Sequence, residues 1–317
     1  MREIAFRKEK FNIHFQFYLC EDSGETFTTT QLDEFNMLMV EHAYRTKHHI
    51  PQRDEISKTR EQYELSAVRM GEILGFGQNT YGLYEKGDLP SLANANLIKL
   101  ASDPKKFKTL VEDWDPKSIK SKEELIKKID RLINKQKLQL INFDDYLMGE
   151  DEANEFTGFK KPDLERLTEM IVFFAHYMPS FKTKMNKLLF YADFGMFKNS
   201  GQSISGAMYK AIPYGPVPNQ FETLYERLST EDVIDNFYED LENGGQSEFL
   251  KGRKDRPFNK ALFSDDELMM LSLVCRKFER TNASQIVEIS HDEEAWIKNV
   301  QERSYIDYRY ALKLKAI

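Results

Sequence analysis

The chain has 317 residues, 41% hydrophobic and 13% aromatic, with 15 glycines and 10 prolines. That composition excludes a fibrous or disordered chain and allows two domains with room for a small third. A net charge of −7 and a pI near 5.6 exclude a molecule that is electropositive overall, so any nucleic-acid contact must come from a local patch. Two distant cysteines, Cys20 and Cys275, exclude a disulfide framework, and neither a secretory apolar region nor an apolar run of about 18 residues occurs; a cytoplasmic protein is expected.

Taken in chain order, the pattern predicts an α+β protein that is mostly α. Residues 10–19, rich in aromatic and β-branched side chains, read as a strand, followed by a turn at "EDSGE" and a helix carrying Leu32, Phe35, Met39 and Ala43 behind a cluster of threonines. Pro51 opens a second segment of short helices over 56–63, 66–74, 78–86 and 91–101. The stretch "DPKKFKTLVEDWDPKSIK" reads as a boundary. Beyond it, Ser121 and Glu124 have capping-box spacing ahead of a helix running to about Leu140. Residues 117–137 hold eight Lys/Arg against three acids, which suits a solvated connector face, a phosphate-touching helix or a self-associating one.

A domain border is expected in the acidic, turn-like stretch "MGEDEANEFTGFKKPD". Next come an amphipathic helix through Leu164–Met178, ending at Pro179, and a second helix from Lys182 to about Phe197. The Gly/Pro-rich loop "SGQSISGAMYKAIPYGPVPN" leads to a helix with Phe221, Leu224, Tyr225 and Leu228, a hairpin around "ENGGQ", and a helix capped by Ser264 and Glu267. A helix over "NASQIVEISHDEEAWIKN" and an aromatic tail complete the chain.

The stretch "LGFGQNTYGLYEKGD", 74–88, carries four glycines, of which Gly75, Gly77 and Gly82 raise the question of a phosphate cradle or a tight turn. A phosphate-binding P-loop needs Gly-Lys-Ser/Thr, but Gly82 is followed by Leu83 and Tyr84. A dinucleotide fingerprint must follow a strand, but "SAVRMGEIL" has helical spacing. A helix-turn-helix fits better: Ser66 caps the first helix, Gly75 ends it, and Gln78, Asn79, Thr80 and Tyr81 open the second, where Gln and Asn can pair with adenine. Lys86 is placed to meet phosphate, and Gly82 to let the backbone approach DNA. Residues 52–113 hold nine Lys/Arg and ten Asp/Glu, so modest non-specific affinity is expected, and a fold used only for packing stays open.

The residues "SAVRMGEILGFGQNTYGLYEKGDLPSLANANLIKLASDP" resemble the Xre-type helix-turn-helix of MqsA-like antitoxins. The segment "YLCEDSGETFTTTQLDEFNMLMVEHAYRTKHHIPQRDEI" is similar to the end of the zinc-finger module preceding it in that family, which holds zinc with two C-x-x-C pairs. Here Ser23 stands where the partner of Cys20 belongs, no cysteine precedes Cys20, and His14, His42, His48 and His49 lack zinc-finger spacing. The expectation is a degenerate module with no metal, in which Cys20 is a remnant, and no cofactor. Leu83 stands where the family often carries an arginine.

Residues 184–228, "KMNKLLFYADFGMFKNSGQSISGAMYKAIPYGPVPNQFETLYERL", with the later "SHDEEAW", resemble the SocA-like, or Panacea, antitoxin domain. The combined resemblance implies four regions: a zinc-finger-like module at 1–50, an Xre helix-turn-helix at 51–115, a linker helix at 116–158 and a helical Panacea domain with a small β-hairpin at 159–317. It implies a non-enzymatic antitoxin that binds a protein toxin and represses its own operon at operator DNA, as a homodimer that the helix over 121–140 could help to pair. The platform expected to meet the toxin is formed by Tyr191, Tyr209, Tyr214 and Pro216, with packing of the loop as the other reading. A one-component regulator with a C-terminal sensor domain and a proteolytic adaptor are the alternatives. His176 and His291 have no nucleophile arrangement, Cys275 reads as a small core residue, and Asp193 and Glu222 read as structural rather than a catalytic pair.

Overall fold

The computed structural model describes residues 1–77, 79–115, 119–138, 143–149, 152–240 and 246–317. The chain divides into two compact units, Met1–Asn142 and Phe143–Ile317.

The first unit opens with an antiparallel hairpin of β1 (Arg2–Phe6) and β2 (Glu9–Ile13). Its two-residue turn places Arg7 and Lys8 at φ 47° and 70°, a mirror-image turn without the usual Asn-Gly signature. The strand expected over 10–19 is therefore broken. After Ile13 the backbone leaves the ladder and pairs with a side chain, Asn36 accepting from Gln16 N at 2.7 Å and donating to Gln16 O at 2.8 Å. A second, minimal hairpin joins β3 (Tyr18–Leu19) to β4 (Thr26–Phe27). Helix α1 (Thr30–His48) starts where Thr29 accepts from Leu32 N, and ends at His49 in a left-handed conformation. It buries Met39, Val40 and Tyr44, with Phe11 and Ile13 of β2 buried in the same unit.

Helices α2 (Arg53–Glu61), α3 (Ala67–Ile73), α4 (Thr80–Lys86), α5 (Leu92–Ser102), α6 (Pro104–Asp113) and α7 (Ile119–Leu138) form one bundle. Ile56, Tyr63, Met70, Tyr81, Ile98, Phe107 and Val111 fill its core. α6 replaces the boundary expected there. Pro104 occupies the first helical turn, where its missing N–H costs nothing, and Phe107 and Val111 turn inward. α7 already runs at Ile119, so Ser121 lies inside the helix and does not cap it. Its apolar stripe packs Leu125 and Ile129 into the bundle core, which makes this helix part of the first unit.

The second unit is built around one buried helix. α8 (Phe143–Met148), α9 (Leu164–Tyr177), the short β5 (Ser180–Phe181) and α10 (Lys182–Ser200) come first. α10 buries every residue from Lys184 to Phe197, the polar Lys184, Asn186, Lys187 and Asp193 included, and packs against α9, α12 and α13, so this stretch has no solvent face. The hairpin of β6 (Tyr209–Ile212) and β7 (Gly215–Pro218) lies against it. Then follow α11 (Phe221–Thr230), β8 (Ile234–Asp240), β9 (Gln246–Gly252), α12 (Asp265–Phe278), α13 (Ala283–His291) and α14 (Glu294–Ile297). A three-stranded sheet has the order β5-β9-β8. The hairpin of β8 and β9 occupies the place expected from "ENGGQ", and its loop lies outside the described residues. The expected capping box forms: Ser264 Oγ accepts from Glu267 N and Glu267 Oε2 from Ser264 N. The single helix expected over "NASQIVEISHDEEAWIKN" is instead α13 and α14, broken at Asp292 and Glu293. No helix among the described residues is long and apolar enough to cross a membrane.

Candidate functional site

Two places carry the residues that the sequence singles out. In the first unit, α3 and α4 pack against each other across a turn. Ser66 Oγ accepts from Arg69 N at 3.2 Å and starts α3; Gly75 at φ +71° turns the chain where an L side chain would be strained. Gln78 lies outside the described residues. Asn79 precedes α4 and is exposed, and the outward stripe continues with Leu83 and Lys86. Thr80 turns partly inward, its hydroxyl lying over Gly77, where an added Cβ would sit 2.9 Å away. Gly82 lies in a shallow hollow lined by Ala67, Val68, Asn79, Leu83 and Lys86, next to Ala67 of α3.

Tyr81 corrects the expectation. It is fully buried and donates its hydroxyl to Ile56 O at 2.8 Å, and burial pushes that hydroxyl's pKa well up, so it is a core residue of the bundle and cannot reach a base edge in this conformation. Tyr84 is likewise inward, accepting from Asn94 Nδ2 at 2.8 Å. Arg60, held by Glu85, and Arg69, beside Glu72, have acidic neighbours, so the charge offered outward near α4 is small.

Two histidines of this unit have structural partners: His42 Nδ1 pairs with Gln52 Oε1 at 3.1 Å, and His48 Nε2 with Glu9 at 2.7 Å. Cys20 closes a turn, its carbonyl accepting from Gly24 N and its amide donating to Glu25 O. Among the described residues no three His, Cys, Asp or Glu side chains are gathered as a metal site.

In the second unit, the three motif segments converge on α10. Asp193, fully buried, accepts from Ile204 N and Ser205 N at 2.8 Å each, from Ser205 Oγ at 2.6 Å and from the Tyr209 hydroxyl at 2.8 Å. Burial raises its pKa, and the four donors oppose that rise. Tyr209 is enclosed by Phe190, Phe194 and Tyr308, the last of which stacks on Phe194 at 4.1 Å and donates to Ala207 O. Glu293 of "SHDEEAW" turns inward to accept from the Tyr191 hydroxyl and from the amides of Lys315 and Ala316. Trp296 donates its indole N–H to Ile212 O and stacks on His291 at 3.7 Å. "KLLFYAD", "SGAMYKAIPYGPVP" and "SHDEEAW" thus clamp one loop conformation.

This arrangement divides the expected platform. Tyr191, Tyr209 and Pro216 are buried, the two tyrosines because Glu293 and Asp193 take their hydroxyls; none of the three presents a side chain to a partner. Tyr214 is 70% exposed at the tip of the β6–β7 hairpin and alone of the four faces solvent. Asp193 and Glu222 form no working pair: the first is enclosed, the second exposed in the first turn of α11. His176 pairs with Arg256 O at 2.8 Å, and burial pushes the Cys275 thiol up to about 11, far from a ready nucleophile.

The residues that sequence reasoning passed over are Lys187, Glu293, Trp296 and Tyr308. Lys187 is fully buried, its Nζ has no hydrogen-bond partner among the described residues, and desolvation pushes its pKa down to about 7. It lies against Gly215, whose φ of +94° and bare Cα leave room for it; an added Cβ would be 2.6 Å from Lys187 Cε. Gly206, at φ +73°, is packed against the backbone of Lys161 and Pro162, 2.8 Å from where a Cβ would be. Gly206→Ala is therefore expected to cost about 1–3 kcal/mol, seen as a lower midpoint in urea; an unchanged midpoint would show that the loop has slack there.

Residues 185–297, from α10 through α14, match the family model of the antitoxin SocA-like, Panacea domain. Neither a curated protein nor a solved structure matches the chain.

Proposed function

We propose that this protein is the antitoxin of a toxin-antitoxin pair: the second unit neutralises a protein toxin by binding it, and the first binds operator DNA of the shared operon. The match of residues 185–297 to the antitoxin domain carries the reading. The conformation of the matched segment supports it, because Asp193, Glu293 and Trp296 fix a rigid hairpin that presents Tyr214. A rigid aromatic anchor loses little conformational entropy on binding, which favours a protein partner.

For the first unit, the support is the α3–α4 pair with its tight turn and an outward Asn79 and Lys86. The exposed Leu83 in the middle of that stripe limits how many base or phosphate contacts the helix can offer. Asn79→Ala is expected to weaken binding to the upstream DNA by about 1–3 kcal/mol, and Lys86→Ala to weaken it evenly across sequences while lowering the salt slope by about one. Gel-shift titrations at several salt concentrations check both. Equal affinity for upstream and unrelated DNA in wild type and variants would remove the repressor half of the reading.

The test of the toxin half is co-expression. The product of the neighbouring reading frame should arrest growth alone and not in the presence of the full-length chain. Continued arrest would leave the one-component regulator with a sensor domain as the better reading, and arrest relieved only in a protease-competent host would favour the adaptor.

A further inference from the structure

Strand β8 lies at an edge of its sheet, paired with β9 over seven residues without a bulge and with no strand on its other side among the described residues. The inner end is anchored: Ile234 is buried, and Asn236 Nδ2 donates to Glu248 Oε2 at 2.8 Å. The outer half projects. Phe237 is 50% and Tyr238 69% exposed, on opposite faces of the strand, and Glu239 is exposed after them. Half of the N–H and C=O groups of such a strand point away from its partner and can pair with another chain.

Soluble proteins usually protect an edge of this length with lysine, proline or a bulge. β8, "IDNFYED", has none of these and carries only acidic charge, at Asp235, Glu239 and Asp240. That charge does not suit a second copy. Paired antiparallel over the whole strand and centred on Phe237, it would set Glu239 opposite an Asp235 already held by Arg253, so neither copy would offer Glu239 a free cation. At the base of the ribbon Arg253 pairs with Asp232 and Asp235, so the outer half holds the acidic charge left for a partner.

We infer that the free edge of β8 takes an added strand from the partner protein, an extended segment that alternates apolar residues with lysine or arginine. Main-chain hydrogen bonds hold the segment, Phe237 and Tyr238 grip its apolar side chains on the two faces, and Glu239 selects its basic ones. The assignment rests on the antitoxin reading only in naming that partner as the toxin.

The test uses the full-length chain, wild type and the triple variant Phe237→Ser, Tyr238→Ser, Glu239→Lys, against a displayed library of random twelve-residue peptides. Because all three side chains are exposed, the variant should keep its thermal midpoint; if it does not, the single variant Glu239→Lys serves in its place. Peptides enriched on wild type should alternate apolar and basic residues, lack proline, and fall at least tenfold in enrichment on the variant. Peptides of other composition, equal enrichment on the variant, or a concentration-dependent dimer that the variant abolishes would overturn the assignment. The same variant then separates the two readings. If peptide binding is lost and growth rescue with it, the toxin uses β8. If rescue persists, the antitoxin reading stands and the toxin does not use this edge.

Discussion

Asp193→Ala is expected to destabilise the second unit by about 3–5 kcal/mol, because it leaves buried donors without an acceptor rather than merely deleting a contact. Two backbone amides, Ile204 and Ser205, and the Tyr209 hydroxyl lose their partner at once. Tyr209 is enclosed by Phe190, Phe194 and Tyr308, and Ile204 and Ser205 are themselves fully buried, so water cannot replace the carboxylate without opening the loop. For a unit of this size the thermal midpoint should fall by roughly 6–20 °C. Asp193→Asn keeps one carbonyl acceptor and should fall between wild type and alanine. Thermal unfolding followed by near-ultraviolet circular dichroism, which reports the aromatic cluster, decides the matter: an alanine midpoint within about 2 °C of wild type would show that the network does not hold the loop. Since the Asp193 partners are the loop residues ahead of Tyr214, the same variant should also fail to rescue growth.

Lys187→Met is expected to act in the opposite direction. The Lys187 amine has no hydrogen-bond partner among the described residues, and burial alone pushes its pKa down to about 7. In the unfolded chain it titrates near the ordinary lysine value of 10.5. Between those two values the unfolded state binds a proton that the folded state does not, so wild-type stability rises with pH, by up to about 1.4 kcal/mol per pH unit. Below about pH 7 both states are protonated and the full penalty remains. Methionine has a similar length and no charge, so the variant should gain about 1–4 kcal/mol at pH 7 and lose most of the slope between about pH 7 and 10. Urea midpoints of both proteins over that range give the comparison. A variant no more stable than wild type, with the same slope, would mean that Lys187 has a polar partner in solution. Gain of stability with loss of rescue would further show that the buried amine is kept for binding rather than for folding.

Local signals in the sequence were reliable where one or two residues determine the geometry. Ser66 and Ser264 cap helices by side-chain acceptance from a backbone amide three residues on, and the amphipathic spacing at 164–178 and 268–278 marks helices that exist. Ser121 had the same spacing and does no capping, because the helix was already formed before it and its inward stripe, Leu125 and Ile129, fixes its register against the bundle. Arg7 and Lys8 form a mirror-image turn that composition does not announce, and Pro104, which reads as a breaker, starts a helix instead.

The site was harder to read, for a physical reason. Asp193 and Tyr209 belong to motifs visible in the sequence, but whether a tyrosine faces solvent or core depends on which distant group takes its hydroxyl. For Tyr209 that is a carboxylate one element away, and for Tyr191 it is Glu293, about a hundred positions on. Tyr81 shows the same limit in the first unit: it lies at the start of α4, where DNA-facing residues are sought, yet its hydroxyl reaches Ile56 O in the core. Tyr214, at its hairpin tip, has no such partner among the described residues and is 70% exposed. Lys187 gave no signal at all, since a lysine in a helix ordinarily reads as a surface residue.

The most direct test of the antitoxin reading is growth of cells carrying the neighbouring reading frame under one inducible promoter and this full-length chain under another. The expected result is arrest by the neighbour alone, growth when both are expressed, and arrest again with Asp193→Ala. A harmless neighbour, or arrest that persists with the wild-type chain present at equal level, would contradict it.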